Sequence, residues 1–201
     1  MGTDPFSSVA GHVALDFVNT LDNRFVPERT VDLLPTYTEL LRFSEQTEML
    51  RPVQVRELGR VANTPEAKEA CRASGELREC LFRIFTGVAR GLRAQGGDLA
   101  VLNEFVAEAL AHREMRASGK TFEWVWTDLA SDVRAPLWPI AFAAAELLVS
   151  EHLPYVRECG AETCRWLFLD LSKNHRRRWC DMKTCGNRVK VRRYYEKHAS
   201  S

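Results

Sequence analysis

The stretch from Trp179 to His198 reads WCDMKTCGNRVKVRRYYEKH. Cys180 and Cys185 enclose four residues, and a segment dense in Arg, Lys and Tyr follows at once. Upstream, across a spacer of fifteen residues, stands a second pair of the same form, Cys159 and Cys164. Two thiol pairs with a spacer of about fifteen to twenty residues are the sequence form of a four-cysteine metal site. The usual pair encloses two residues, and four lies at the end of the structural range. Zn2+ takes four thiolates tetrahedrally, which closes its coordination sphere and leaves no open position for water. The expected cofactor is one structural Zn2+ per chain, held by Cys159, Cys164, Cys180 and Cys185. Two disulfides, or four idle thiols, are the plain alternative.

A unit of this size buries little apolar area and needs such a staple. Structural zinc in finger peptides contributes roughly 10–16 kcal/mol of apparent binding energy, which becomes folding energy. Between the pairs, Trp166–Asp170 reads as a strand and Leu171–His175 as a turn. Arg176–Trp179 then returns as a second strand. After Cys185 no proline intervenes, so a helix is expected to start at the last ligand. Val189 and Tyr194 are expected to pack back on the hairpin. Knuckle, hairpin and a helix donating the last ligand make a treble clef. The neighbouring Arg176, Arg177, Arg178 and Lys183 would favour the thiolate form that a metal needs. His152, His175 and His198 are conceivable substitutes for a cysteine, but four cysteines make them unnecessary.

The formal charge of the whole chain is +1, yet residues 159–201 alone carry +7, leaving −6 for the rest. Such a split suggests two modules with different partners, the basic one facing a polyanion or an acidic surface. Arg binds phosphate with a planar fork, and Tyr can bond phosphate or stack on a base. The candidate nucleic-acid contacts are Arg176, Arg177, Arg178, Lys183, Arg188, Lys190, Arg192, Arg193, Lys197 and Tyr195. On a helix, positions 188, 192 and 195 share one face, as do 190, 193 and 197. A protein partner, or a solvated basic face with no partner, stands beside this reading.

The C-x4-C pair followed by WLFLDLSKNHRRRWCDMKTCGNRVKVRRYY resembles the CGNR zinc finger, named for the tetrapeptide Cys185-Gly186-Asn187-Arg188. ALDFVNTLDNR (residues 14–24) and the helix over 135–151 are similar to the ABATE domain that precedes the finger in that family. The resemblance spans essentially the whole chain, and its C-terminal motif is the specific part. It implies a stress-induced transcription regulator that binds DNA through the zinc module, with the same four cysteines as ligands.

Outward from the cysteines, residues 1–155 read as a mainly helical domain with one β-hairpin, and residues 156–201 as the zinc module. The fold class is thus mainly α with a small hairpin (α+β), plus a small treble-clef-like zinc module built on four cysteines. Residues 12–20 lean to helix. Thr36 can cap a helix over Tyr37–Met49, with Glu39 completing a capping box. Arg51-Pro52 ends it, and Val53–Ala62 forms a short helix. Thr64 and Pro65 start a long helix running to about Arg93. Asp98 is expected to cap a helix to Ala111. His112–Ala117 and Lys120–Trp126 form the hairpin, turning at Ser118-Gly119, with Phe122, Trp124 and Trp126 on one face. Val133–Glu151 is a buried helix. Cys71 and Cys80, on the long helix, read as small buried residues.

Asp16 and Asn19 sit three apart in an apolar segment, and Arg24 is a candidate partner for the Asp16 carboxylate. The functional reading of these three is a pocket for an unknown small ligand; the structural reading is a hydrogen-bond network. Phe122, Trp124 and Trp126 would line a pocket or a dimer face, or form plain core. No Gly-rich phosphate loop, nucleophile elbow or HExxH is present. Asp16, His112 and Glu123 are scattered acids and bases, so the expectation is that the chain is not an enzyme. No apolar run reaches the about 18 residues of a membrane span, and MGTDPFSSVAG lacks the pattern of a secretory signal. The expectation is a cytoplasmic regulator binding double-stranded DNA. A homodimer is expected by analogy with dimeric regulators. The alternatives are an RNA- or protein-binding adaptor, or an enzyme with a structural zinc.

Overall fold

The computed structural model describes residues 6–198. Helix α1 (Val13–Val18) is followed by two short strands, β1 (Leu21–Asp22) and β2 (Val31–Asp32), which pair antiparallel and which the sequence reading missed. Then come α2 (Tyr37–Gln46), α3 (Pro52–Gly59), α4 (Pro65–Ala89) and α5 (Gly96–Ala111). The hairpin β3 (Arg113–Ser118) and β4 (Thr121–Trp126) precedes α6 (Leu137–Val149). The C-terminal part holds β5 (Val156–Glu158), β6 (Leu167–Leu169) and α7 (Asn187–His198).

Local chemistry sets most helix starts. The Thr36 hydroxyl accepts from the Glu39 N–H, and Thr64 accepts from Ala67 N–H, each at 3.3 Å. These bonds satisfy donors that a helix start leaves orphaned. Glu39 turns its carboxylate to Arg42 at 2.9 Å, and the reciprocal half of the expected capping box is not among the bonds it makes. Asp98 does not cap α5. The helix already begins at Gly96, and Asp98 lies buried in its first turn, accepting from Arg83 Nε at 2.8 Å. A carboxylate there still complements the helix dipole. The register Ser118↔Thr121 puts the hairpin turn at Gly119-Lys120, one residue later than expected, because Gly119 supplies the positive φ of +62° that such turns need.

The core gathers α1, α4, α5 and α6. Trp138, Phe17, Phe43, Phe85 and Phe168 are the largest fully buried side chains. Truncating such a residue to Ala costs about 3–5 kcal/mol. Trp138 is polar at one edge, and its Nε1 donates to Glu108 at 2.9 Å while Arg134 grips the same carboxylate. Helix α1 has only six residues, yet five of them are buried, so packing rather than length holds it.

Two expectations fail here. The strand paired with β6 is β5, in the register Val156↔Leu169 and Glu158↔Leu167, and not Arg176–Trp179. Asp170 explains why. Its carboxylate accepts from Ser172 N and Oγ and from Arg177 N, which winds residues 171–177 into a loop. The aromatic hairpin face is not plain core: Phe122 and Trp124 are exposed, and Trp126 alone reaches the body, edge-on to Phe142. Among the described residues no helix is long and apolar enough to cross a membrane.

Candidate metal centre and nucleic-acid interface

The first cysteine pair is held by backbone. Cys159 N–H donates to Trp166 C=O at 2.8 Å, closing the knuckle, and Cys164 N–H donates to Ala161 C=O at 2.9 Å. Arg165 then takes a left-handed φ of +54°. Its guanidinium meets Glu158 at 2.6 Å and stacks 3.8 Å from the Phe25 ring centre. Gly160 donates to Arg178 C=O at 2.8 Å, tying the first knuckle to the approach of the second.

The second pair spans a five-residue π-helical turn, Met182–Gly186, that leads straight into α7. Asp181 caps this turn, accepting from Lys183 N at 3.2 Å and Thr184 N at 3.0 Å. Cys185 lies on the turn and Gly186 follows it. A Cβ at Gly186 would stand 3.1 Å from Trp179 Cδ1 and closer still to the Met182 sulfur, so a side chain there would have to push the Met182 side chain aside.

All six cysteines are free thiols, and the four sulfurs of Cys159, Cys164, Cys180 and Cys185 lie within 4.8 Å of one another. Cys164 and Cys180 are 3.6 Å apart, and Cys180 and Cys185 are 3.7 Å apart. Tetrahedral thiolates at about 2.3 Å from Zn2+ would stand about 3.8 Å from one another. The spacing therefore fits one central ion and is far too long for a disulfide, whose bond is about 2.05 Å. Sulfur-to-sulfur hydrogen bonding pulls the Cys159 thiol well down, while the same contacts and burial push Cys164 and Cys180 up. Four sulfurs at this spacing suit a single cation between them. The cluster is a metal site.

The basic residues divide into groups. Arg177 turns inward: its N–H bonds Asp170, its guanidinium bonds the Cys180 carbonyl, and its plane lies 4.8 Å from the Phe168 ring centre. Arg192 is exposed but held by Glu162 at 2.8 Å and Glu196 at 2.7 Å. Arg176, Arg178, Lys183, Arg188 and Lys190 are exposed, and among the described residues none of them is in a salt bridge. Arg178 leans on Trp179, 5.3 Å from its ring centre. Tyr195 is exposed on α7. The side chains of Arg193 and Lys197 lie outside the described residues. Tyr194 is exposed and stacks on His198 at 4.2 Å instead of packing back, whereas Val189 is half-buried.

The three N-terminal candidates do not share a pocket. Asp16 is buried and accepts from Ala10 N at 3.0 Å; burial raises its pKa to about 6. Arg24 is not its partner. It reaches Glu79 at 2.7 Å, on α4, and covers the Phe82 ring. Asn19 bonds the Leu167 backbone in both directions. The space beside Asp16 and Asn19 is about 10 Å³, too small for a ligand. Each is held by its own separate partner, and no bond links the three. His112 and Glu123 join no site with Asp16; His112 stacks flat on Trp138 at 3.6 Å.

A cleft of about 300 Å³ that sequence reasoning missed runs beside the cysteines. Ser7, Asp22, Trp166, Asp181 and Arg188 are among its walls. Trp166 Nε1 donates to Asp22 at 2.8 Å across its floor. No local pattern announces it, because its walls come from opposite ends of the chain.

A comparison with curated proteins finds no match. Residues 155–198 match the CGNR zinc finger. Residues 11–151 match the ABATE family, whose description is "Putative stress-induced transcription regulator". With most of its length under that model and the four-cysteine cluster inside the finger, the chain belongs to the ABATE family and carries a C-terminal CGNR zinc finger.

Proposed function

We propose that this chain is a transcription regulator that binds double-stranded DNA, with one structural Zn2+ per chain in the four-cysteine cluster. The observation that carries this reading is the placement of Lys183 on the turn that holds Cys185, and of Arg188 and Lys190 on the helix that follows it. A bound Zn2+ supplies a fixed, closed tetrahedral tie and no reactive position. The tie fixes where α7 begins, and hence where those cations point. Arg178 adds a further cation from the preceding loop. Phosphate contacts of this kind position a protein on duplex without reading sequence. For a small ligand, the cleft beside Trp166 and Arg188 is a better candidate than the small space beside Asp16 and Asn19.

A second reading has its own observation. Tyr194 and Tyr195 are exposed side by side on α7, and bases of a single strand stack on such rings.

The test is metal content together with salt-titrated binding to random duplex and single-stranded probes, for wild type and Cys185→Ser. The expected result is one zinc per chain, duplex preferred, affinity falling steeply with salt, and binding lost in the variant. Binding to single strands alone would favour the adaptor reading. Zinc without nucleic-acid binding would overturn both.

A further inference from the structure

We propose that the cleft beside the four cysteines binds a small zwitterion of the α-amino-acid class, with its ammonium toward Asp22 and Asp181 and its carboxylate toward Arg188. This deepens the reading of that cleft as the ligand site, and rests on it. The cleft holds about 300 Å³ and takes its walls from both ends of the chain. That volume stands at the lower bound of small-molecule sites. Its two carboxylates are fixed in the same way. Asp22 accepts from Trp166 Nε1 at 2.8 Å, from Asn23 N at 2.7 Å and from Asn23 Nδ2 at 2.9 Å. Asp181 accepts from Lys183 N at 3.2 Å, from Thr184 N at 3.0 Å and from Thr184 Oγ1 at 2.9 Å. An ionised carboxylate offers about four acceptor sites. Each of the two therefore keeps room for one more donor, in an orientation that its neighbours have already set.

Charge then selects the guest. Arg188 lines the same cleft, yet among the described residues it is in no salt bridge, so its guanidinium nitrogens stand more than 4.0 Å from both carboxylates. Opposite charges held apart across one cavity do not satisfy each other, and a guest carrying both charges bridges them. A purely anionic guest would meet Asp22, Asp181 and the sulfur wall, where four thiolates outweigh the charge of one Zn2+. A purely cationic guest would face Arg188 with like charge, which selects against it. The Arg188 fork can take a carboxylate through two parallel N–H bonds. Trp166 is half-buried, and with Val9 it gives the guest's side chain an apolar surface. The carboxylate of the guest and a DNA phosphate would compete for the one guanidinium, so guest and DNA would weaken each other's binding reciprocally. That consequence rests on the DNA-binding reading; the binding of the zwitterion does not.

The experiment is titration calorimetry of the metal-loaded full chain without DNA. The probes are L-leucine and L-phenylalanine, each with the amine that lacks its carboxylate and the acid that lacks its amine (isoamylamine and isocaproate; phenethylamine and hydrocinnamate). At least one amino acid is expected to bind with a Kd below about 1 mM. Its two analogues should bind at least about tenfold more weakly, as loss of a charge-assisted hydrogen bond does. Arg188→Gln and Asp22→Asn should each weaken the amino acid by a similar factor, with circular dichroism and metal content unchanged. Arg192→Gln, outside the cleft, should leave the affinity as it is. Absence of binding by both amino acids up to about 10 mM would overturn the proposal. So would affinity that neither Arg188→Gln nor Asp22→Asn reduces. An acid analogue that binds as tightly as its parent, and is weakened by Arg188→Gln, would overturn the zwitterion while keeping the cleft as a ligand site. Because no DNA is present, each of these failures is separable from failure of the DNA-binding reading.

Discussion

Asn19 and Leu167 close a two-way hydrogen bond across the protein: Asn19 Nδ2 donates to the Leu167 carbonyl at 2.8 Å, and Leu167 N–H donates to Asn19 Oδ1 at 3.0 Å. One carboxamide on the edge of α1 thereby acts as a missing strand for β6. Leu169 N–H completes the seam on Ala10 C=O at 2.7 Å. Since Leu167 and Phe168 are wholly buried, the zinc-module strand belongs to the same core as the helices.

Asn19→Ala should therefore cost about 2–3 kcal/mol, because it strands a buried donor and a buried acceptor together. Asn19→Asp should be at least as harmful, since its carboxylate would face a carbonyl oxygen. Urea unfolding followed by tryptophan fluorescence measures both. A loss below about 0.5 kcal/mol, the scale of an ordinary surface change, would show that water replaces the bond freely.

Asp16 gives a pH dependence of known sign. Burial raises its folded pKa to about 6, above the ordinary carboxylate value, although the Ala10 N–H partly opposes this. The folded state therefore holds the proton more tightly than the unfolded chain does. The stability this confers is complete below about pH 4 and is lost as the pH rises through about 6. Asp16→Asn keeps an acceptor for Ala10 and removes the charge. The variant should gain about 2 kcal/mol on wild type at pH 7.5 and little at pH 4.5. Comparing the two proteins at each pH cancels any shared effect of metal release. A constant difference across that range would mean that Asp16 titrates normally.

How much of this was legible beforehand depends on how local the cause is. Thr36 and Thr64 announced their helices because a cap acts over three residues. The cysteine pairs announced the metal site because each knuckle is short. The strand partner of β6 was not legible. Residues 156–158 and 176–179 are both close enough in sequence to pair with it, and the choice turns on the Asp170 carboxylate folding the loop after it. Alternation at Phe122, Trp124 and Trp126 correctly gave a shared face. It carried no information on whether the helical body would cover that face. Arg24 likewise chose Glu79, 55 residues away, over the nearby Asp16.

Metal removal should reach beyond the zinc module. Apparent zinc-binding energies of roughly 10–16 kcal/mol match or exceed the whole stability of a typical domain, so the module without metal should unfold. Because β6 shares the helical core, its loss exposes Leu167, Phe168 and Leu169, each worth about 1.5–3 kcal/mol of burial. Chelation should thus lower the melting temperature of the helices as well, with loss of near-ultraviolet signal from Trp166 and Trp179. Differential scanning calorimetry with and without chelator checks this. An unchanged main transition would mean that the helical body stands without β6.

Cations on one helix should not contribute equally to nucleic-acid binding. Arg192 is held by Glu162 and Glu196, whereas Arg188 makes no salt bridge among the described residues. A phosphate must displace two carboxylates to reach Arg192 and none to reach Arg188. Each phosphate contact contributes about 0.9 to the slope of log K against log salt. Arg188→Ala should lower that slope by about one, and Arg192→Ala by much less. Glu162→Gln should act in the opposite direction, releasing one constraint on Arg192 and strengthening binding at low salt. Fluorescence anisotropy with a random duplex over a salt series measures all three. Equal slopes for the two arginine variants would mean that DNA strips Arg192 of its carboxylates on docking, and the surface would then centre on the Arg192 face of α7.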